Sequence, residues 1–179
     1  MSENANSRDG PRPICFMVMP FRTKSVSAGP GSQAPAKVDF DALWDRALSP
    51  AIESMGYIPR RADQDGGSLI VRDMLERLAY ADLVMADVSI PSGNCYYEVG
   101  VRHVAKETRC VLVAADWSQR LFDIAQFNTV QYPLRDGTVP EEEANSIRDH
   151  LIASVPPLIE ARTPWHETIS GPEEAVSYT

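Results

Sequence analysis

The chain has 179 residues, of which 44% are hydrophobic and 23% charged, enough for one globular domain with a buried core. Its 25 acidic and 17 basic residues give a formal net charge of −8, which argues against nonspecific binding to nucleic acid polymers or to anionic membranes. A small anionic ligand is compatible with this charge, since local basic groups can outweigh the mean.

The three cysteines are too scattered for a disulfide framework, and neither they nor the three histidines have the spacing of metal ligands. Residues 1–13 are polar without an apolar signal core, and no apolar run approaches the roughly 18 residues of a membrane span. We therefore predict a cytoplasmic protein with no metal, no cofactor and no membrane contact. Disordered tails are predicted at residues 1–13 and 162–179.

Between the tails, residues 14–161 alternate short apolar runs with segments of helical periodicity, which predicts repeated β-α units. In chain order, the predicted elements are a strand at 14–19, a loop at 22–37, a helix at 39–55, a strand at 57–62, a helix from 70, a strand at 83–86, a helix at 95–106, a strand at 111–115, a short helix or turn at 121–127, a strand at 129–132 and a last helix from 141.

Two of these elements have internal features. The loop over residues 22–37 is rich in Ser, Gly, Pro and Ala, which predicts an irregular and mobile segment. In the helix over 39–55, Ser49-Pro50 predicts a kink or a restart, with Ser49 as N-cap and Pro50 in the first helical position.

Five strands with interleaved helices predict a flavodoxin-like α/β fold, a doubly wound parallel sheet with strand order 2-1-3-4-5. Ligands of such sheets bind at the carboxyl ends of the strands, near the point where the strand order reverses. The loops after the first and third predicted strands are therefore the first places to look for a site.

The connection after the third predicted strand places small polar residues between two carboxylates. Asp87 closes the strand and Glu98 lies in the first turn of the next helix, so both are expected to face the crevice outside the sheet edge. Hydroxyls and backbone N–H groups at a helix N-terminus favour a phosphate or a ribose. A carboxylate beside a sugar can stabilise or attack its electron-poor carbon, as in glycoside cleavage.

The same residues also have a purely structural interpretation. An Asp before a helix is commonly a cap, and a Glu in the first turn favours the helix dipole. Glu98 and Arg102 are four residues apart, so a helix-surface ion pair worth about 0.3–0.5 kcal/mol is an alternative. Gly100 indicates close approach of the helix to the sheet, because a glycine within a helix costs about 1 kcal/mol against alanine.

Residues 94–103 read Asn-Cys-Tyr-Tyr-Glu-Val-Gly-Val-Arg-His. This run resembles the N-x-x-[YF]-E-[LV]-G-x-R-H element of the deoxyribohydrolase-like (DRHyd) domains, relatives of nucleoside 2-deoxyribosyltransferases and nucleotide N-hydrolases and, more distantly, of TIR domains. Further family-like segments follow in the right order at residues 15–21, 40–41 with 50–52, 61–63 and 81–87. The similarity covers about residues 14–132.

The resemblance implies a role for each matched residue. Glu98 matches the glutamate that attacks the anomeric carbon, and Asp87 matches an aspartate that holds sugar hydroxyls or assists the leaving base. Asp63 is expected to contact base or ribose. The base pocket is expected to be lined by Met19, Pro20 and Phe21. The residues expected to bind the rest of a nucleotide-type ligand are Ser89, Ser92, Gly93, Asn94 and Arg102.

Together these features predict an N-glycosidase that cleaves the base–ribose bond of a nucleoside, nucleotide or related dinucleotide through a glutamate nucleophile. The resemblance also implies a homodimer, and the C-terminal region lacks a match to the transferases, which favours hydrolysis over transfer. The alternative is a non-catalytic nucleotide-sensing or signalling/defence module on the same fold. A phosphotransfer receiver domain is excluded, because the chain lacks the acidic pair after the first strand and the lysine after the fifth.

Overall fold

The computed structural model describes residues 10–27, 29, 31–62, 70–119, 127 and 129–169. Its strands are β1 (Ile14–Val18), β2 (Thr23–Ser25), β3 (Lys37–Asp39), β4 (Ile58–Arg61), β5 (Leu83–Asp87), β6 (Cys110–Ala115) and β7 (Thr129–Tyr132). Its α-helices are α1 (Phe40–Leu43), α2 (Ser49–Ser54), α3 (Ile70–Tyr80), α4 (Gly93–Ala105), α5 (Glu141–Ser154) and α6 (Pro164–Thr168). A π-helical turn (Trp44–Leu48) joins α1 to α2, and a 3₁₀ turn (Pro156–Leu158) follows α5.

Five of the strands form one parallel sheet in the order β4-β1-β5-β6-β7. Numbered among themselves along the chain, these strands have the order 2-1-3-4-5, so the predicted flavodoxin-like fold is confirmed. The strand order reverses between β1 and β5, which places the carboxyl ends of these two strands at the edge where such folds bind ligands.

Each face of the sheet carries its own hydrophobic core. Cys15 and Met17 of β1 point to the face covered by α1, α2 and α5, whereas Phe16 and Val18 point to the face covered by α3 and α4. This alternation follows from the two-residue period of a strand. Because both faces are covered, every residue of β5 is buried, which explains its continuous apolar sequence up to Asp87.

The prediction that residues 22–37 form an irregular loop is wrong in part. Its two ends form β2 and β3, which pair antiparallel with Thr23 opposite Asp39 and Ser25 opposite Lys37. Composition hid these strands because they are short and the segment between them is rich in turn-forming residues.

The predicted interruption of the first helix is present, but Ser49 is not an N-cap. Ser49 has helical dihedral angles, and its N–H donates to the carbonyl of Trp44 five residues earlier, which makes the preceding turn π-helical. Pro50 explains the widening, because a proline has no N–H for the carbonyl of Arg46 and its ring would clash with that carbonyl in a regular α-helix.

The prediction that the chain is disordered from residue 162 is wrong for residues 162–168. Thr163 is buried, and its hydroxyl donates to the carbonyl of His103 on α4 over 3.1 Å, while its N–H donates to the carbonyl of Glu107 over 2.7 Å. These bonds anchor α6 against the C-terminal end of α4. The predicted Asp63 contact, most of the predicted helix over 121–127 and the outer parts of both predicted tails lie outside the described residues.

The contact between α4 and the C-terminal segment gives the fold a pH dependence. His103 is 8% exposed, and burial, followed by the neighbouring Arg102 and His166, lowers its pKa from about 6.5 to about 4. The folded protein therefore holds this imidazole neutral, whereas the unfolded chain protonates it below pH 6.5. The contribution of this group to stability is present above pH 6.5 and is lost as the pH falls towards 4.

We expect this group to remove roughly 1 to 2 kcal/mol from the free energy of unfolding between pH 7 and pH 5. Urea unfolding of the wild type and of His103→Gln at both pH values measures this, and the loss on acidification should be smaller in the variant by that amount. Equal losses in the two proteins would contradict a neutral, buried His103.

Two glycines are expected to respond in opposite directions to replacement by alanine. A Cβ on Gly137 would lie 1.7 Å from the carbonyl oxygen of Lys37 on β3, and Gly137 does not have a positive φ, so the constraint there is space alone. A Cβ on Gly100 would meet nothing within 4 Å, so the predicted close approach of Gly100 to the sheet is wrong.

Gly137→Ala should destabilise the protein by at least about 2 kcal/mol, because the backbone of one segment has to move. Gly100→Ala should stabilise it by about 0.5–1 kcal/mol, because α4 loses a flexible residue without any clash. Urea unfolding of both variants tests the pair. Similar stability of Gly137→Ala and the wild type would show that the close contact with β3 is absent in solution.

Candidate functional site

A buried hydrogen-bonded network joins the carboxyl ends of three strands. Asp87 ends β5, and its two carboxyl oxygens accept from the backbone N–H of Ser89 at 2.9 Å and from the hydroxyl of Tyr132, the last residue of β7, at 2.5 Å. The Ser89 hydroxyl lies 3.1 Å from the Tyr132 hydroxyl and accepts from the backbone N–H of Ala115 on β6 at 2.8 Å. Asp87 and Tyr132 have no exposed surface, and Ser89 is 3% exposed.

The donors of this network can be assigned by elimination. The single proton of the Tyr132 hydroxyl points to Asp87, so Ser89 donates its own hydroxyl proton to the Tyr132 oxygen. Each hydroxyl then donates once and accepts at least once. Burial raises the pKa of the Asp87 carboxyl, and the bonds from Tyr132 and Ser89 oppose this. Burial, with the Asp87 charge next, raises the pKa of Tyr132 well above 10.

This network corrects two predictions. Asp87 does not face an open crevice, because its carboxyl is buried and both of its oxygens are bonded within the protein. The hydroxyl of Ser89 is not available to a phosphate for the same reason. Sequence reasoning missed Tyr132, because its partner Asp87 lies two strands away in the sheet.

The N-terminus of α4 is the accessible part of this edge. The Ser92 hydroxyl caps the helix by accepting from the N–H of Cys95 over 3.4 Å, and Gly93 and Asn94 are exposed. The first N–H groups of a helix have no partner within it, so those of Gly93 and Asn94 point outward from the carboxyl edge of the sheet. Ser92, Gly93 and Asn94 thus lie together, as predicted from the sequence.

Glu98 lies on the side of α4 that faces α3. It is three residues after Cys95 and four before Arg102, so all three side chains share one face of the helix, and Arg102 on that face bonds to carbonyls of α3. Glu98 is half-buried and takes part in none of the ion pairs of the described residues. Desolvation raises the pKa of its carboxyl.

Arg102 is a structural residue and not a ligand contact. It is 1% exposed, and its guanidinium donates to the carbonyls of Leu78 at 2.8 Å, Ala81 at 3.0 Å and Arg109 at 2.9 Å. These bonds tie the C-terminal end of α3 and the start of β6 to α4. The alternative ion pair with Glu98 is absent from the described ion pairs, and the predicted role of Arg102 in ligand binding is disfavoured because its guanidinium is buried and bonded to carbonyls.

Cys95 shows that the two predicted catalytic carboxylates share one electrostatic environment. Burial raises the pKa of the Cys95 thiol to about 11, and the charges of Glu98 and Asp87 add to this rise while the Ser92 hydroxyl opposes it. Both carboxylates therefore lie within electrostatic range of one buried sulfur atom. The prediction that both acids face one crevice is wrong for the buried Asp87, and for Glu98 it stays a prediction.

The loop after β1 carries the residues predicted to line a base pocket. Met19 is 2% exposed and Pro20 is buried, whereas Phe21 is 40% exposed, so Phe21 alone of the three offers an accessible side chain in this arrangement. An ion pair lies at the end of β4. Arg61 of this strand bonds at 2.8 Å to Asp41 of α1, a helix on the face of the sheet opposite to α4.

This ion pair adds polar groups to the carboxyl ends of β1 and β4. The Asp41 carboxyl also accepts from the backbone N–H of Arg22 at 3.1 Å, which is the main reason why its pKa is lowered, with Arg61 next. Arg61 is 8% exposed and its guanidinium lies 5.8 Å from the centre of the Trp44 ring. Sequence reasoning missed Asp41 as a partner of Arg61, because the two lie on different elements.

No protein-family profile matches this chain, and no curated protein matches it. Among solved structures, the flavodoxin-like domain of a Synechococcus protein is similar over 77% of this chain and 93% of that chain, with 10% identity and a TM-score of 0.44. The Flv1 flavodiiron core from Synechocystis sp. PCC6803 is similar over 79% of this chain and 36% of that chain, with 12% identity and a TM-score of 0.42.

The residues that the structure describes include neither a metal-ligand cluster nor a membrane-spanning helix. Within those residues, no three or more His, Cys, Asp or Glu side chains converge in a way that could hold a metal ion. Among the helices of the same ranges, none combines the length and the apolar character needed to cross a bilayer.

Proposed function

We propose that this protein cleaves the N-glycosidic bond of a nucleoside, nucleotide or related dinucleotide, with Glu98 as the nucleophile. The observation that carries the proposal is the state of the Glu98 carboxyl. It is half-buried near the switch point of the sheet, and none of the ion pairs among the described residues neutralises it. The similarity of residues 94–103 to the deoxyribohydrolase-like domains supports the same assignment.

The environment of Glu98 suits a reaction in which positive charge develops on a sugar. Desolvation disfavours the charged carboxylate, as the raised pKa of Glu98 shows, and no cation of the described ion pairs offsets this cost. An oxocarbenium-like sugar beside the carboxylate supplies the missing positive charge. The interaction is therefore stronger in the transition state than with the neutral sugar of the substrate, which is the condition for catalysis.

The proposed reaction has two steps. A carboxylate oxygen of Glu98 forms a bond to the anomeric carbon while the carbon–nitrogen bond breaks, and the base leaves with the electron pair and takes up a proton from water. A second water then attacks the anomeric carbon of the glycosyl ester and gives up a proton to the hydroxide left by the first water. This step restores the Glu98 carboxylate and gives the free sugar or sugar phosphate.

Accessible residues after β1 and at the start of α4 fit the binding of the remaining parts of a nucleotide. The exposed N–H groups of Gly93 and Asn94 at the positive end of α4 suit a phosphate or sugar oxygens. Phe21, at 40% exposure, offers an aromatic face to a base. Asp87 has both oxygens engaged, so its role in this proposal is to hold the turn that leads into α4 and not to touch the sugar.

The proposal is tested by incubating the purified protein with a panel of ribo- and deoxyribonucleosides, their mono-, di- and triphosphates and dinucleotides, and by detecting free base by mass spectrometry. We expect release of free base from at least one member. Absence of release from the whole panel, together with tight nucleotide binding in calorimetry, would instead favour the nucleotide-sensing module. The predicted homodimer is checked separately by light scattering.

A further inference from the structure

Tyr132 links strands that are not neighbours in the sheet. It pairs with Ala115 of β6, and β6 in turn pairs with β5, which ends in Asp87. Adjacent strands lie about 4.8 Å apart, so the Tyr132 side chain, its hydrogen bond and the Asp87 side chain together bridge roughly 10 Å of sheet. Both residues have no exposed surface, so this contact is closed to water.

The network around Tyr132 holds the turn that leads into α4. The turn begins with Val88, whose N–H donates to the carbonyl of Val113 over 2.9 Å. The next residue, Ser89, is held through its N–H by Asp87 and through its hydroxyl by Tyr132 and Ala115. The turn ends at Ser92, the N-cap of α4, and Glu98 lies within the first two turns of that helix.

We propose that Tyr132 is a positioning residue, which holds the first turns of α4 and with them the Glu98 carboxyl in place through Asp87 and Ser89. The significance of this role for catalysis rests on the proposed function of Glu98. The positioning itself does not depend on that function, because it concerns the order of α4 and can be measured without a substrate.

Replacement of Tyr132 by phenylalanine removes one oxygen atom and keeps the ring that packs in the core. Asp87 then loses the donor to one carboxyl oxygen, and Ser89 loses the acceptor of its hydroxyl proton. A buried polar group without a partner is costly, so the turn is expected to shift until these groups reach water. A displacement on the order of 1 Å at a catalytic group lowers a rate by about a hundredfold.

The test compares Tyr132→Phe with Tyr57→Phe, a matched control whose partly buried hydroxyl makes none of the hydrogen bonds of the described residues. Backbone hydrogen exchange is measured for residues 95–98 of α4, the first of the helix whose N–H groups are bonded, with α5 as internal reference. We expect exchange at 95–98 to be at least tenfold faster in Tyr132→Phe and unchanged in Tyr57→Phe, with α5 unaffected. On a substrate from the nucleotide panel, kcat should fall at least tenfold while KM changes less than threefold.

Unchanged exchange at residues 95–98 would overturn the inference, as would an equal increase in α4 and α5, which would indicate a merely structural role. If the wild type releases no base, the proposed function fails while the exchange comparison still decides this inference. Ser89→Ala removes the middle hydroxyl of the network and serves as the second variant if Tyr132→Phe does not fold.

Discussion

Glu98→Gln is expected to lower the rate of base release by at least about a thousandfold while the protein stays folded. The amide has almost the same shape as the carboxyl, but it carries no negative charge and is a far weaker nucleophile. It can neither form the glycosyl ester nor stabilise positive charge on the sugar. Because burial disfavours the charged form of Glu98, the neutral variant should be at least as stable as the wild type at neutral pH.

The measurement is the single-turnover rate of base release at saturating substrate, together with urea unfolding of each protein. Glu53→Gln is a matched control, because Glu53 is an exposed helical glutamate on α2, which packs on the opposite face of the sheet. Turnover of Glu98→Gln within tenfold of the wild type would exclude Glu98 as nucleophile, whatever the identity of the substrate.

Arg102→Ala is expected to be the most destabilising substitution in the described fold, with a loss of about 3 kcal/mol or more. The guanidinium donates to the carbonyls of Leu78, Ala81 and Arg109 at once. Its removal takes this donor from all three and leaves a new cavity, while the Arg109 carbonyl keeps the N–H of Val84 at 3.0 Å. Leu78 and Ala81 lie at the C-terminal end of α3, and Arg109 lies just before β6. The substitution is therefore expected to weaken the packing of α4 against both elements.

Urea unfolding with a full baseline measures this loss. Arg102→Lys is expected to lie between the wild type and Arg102→Ala, because one ammonium group cannot reach all three carbonyls. Arg72→Ala is the control, because Arg72 is an exposed arginine on a helix. Its ion pair with Glu76 should contribute little to stability, since the two side chains are 72% and 53% exposed. If Arg102→Ala were as stable as Arg72→Ala, Arg102 would not have the structural role assigned to it.

The order of the sheet was predictable because each strand is marked locally. β5 is a continuous apolar run that ends at Asp87. β7 is a short segment of β-branched and aromatic residues, a pattern that is typical of a strand. The π-helical turn was predictable as an interruption, since Pro50 forbids a regular helix, although the form of the interruption was not. The ribbon of β2 and β3 was missed because both strands are three residues long, mostly exposed and without an apolar run.

The site was predictable in its location and less so in its details. The helix that carries Glu98, with Ser92, Gly93 and Asn94 at its start, was predicted from spacing. The true partners of Asp87, Ser89 and Arg102 were not, because those partners come from other strands and helices. A sequence motif shows which residue types stand close along the chain, and it does not show whether each one meets a ligand or a backbone carbonyl.

In the proposed reaction, Glu98 forms a covalent bond to the sugar. To detect this bond, the reaction of the protein with a substrate from the nucleotide panel is quenched in acid and the peptides are analysed by mass spectrometry. We expect the peptide containing Glu98 to gain the mass of the sugar or sugar phosphate, and we expect this adduct to be absent in Glu98→Gln. Base release with no adduct in the wild type, and with undiminished turnover in Glu98→Gln, would rule out Glu98 as the nucleophile.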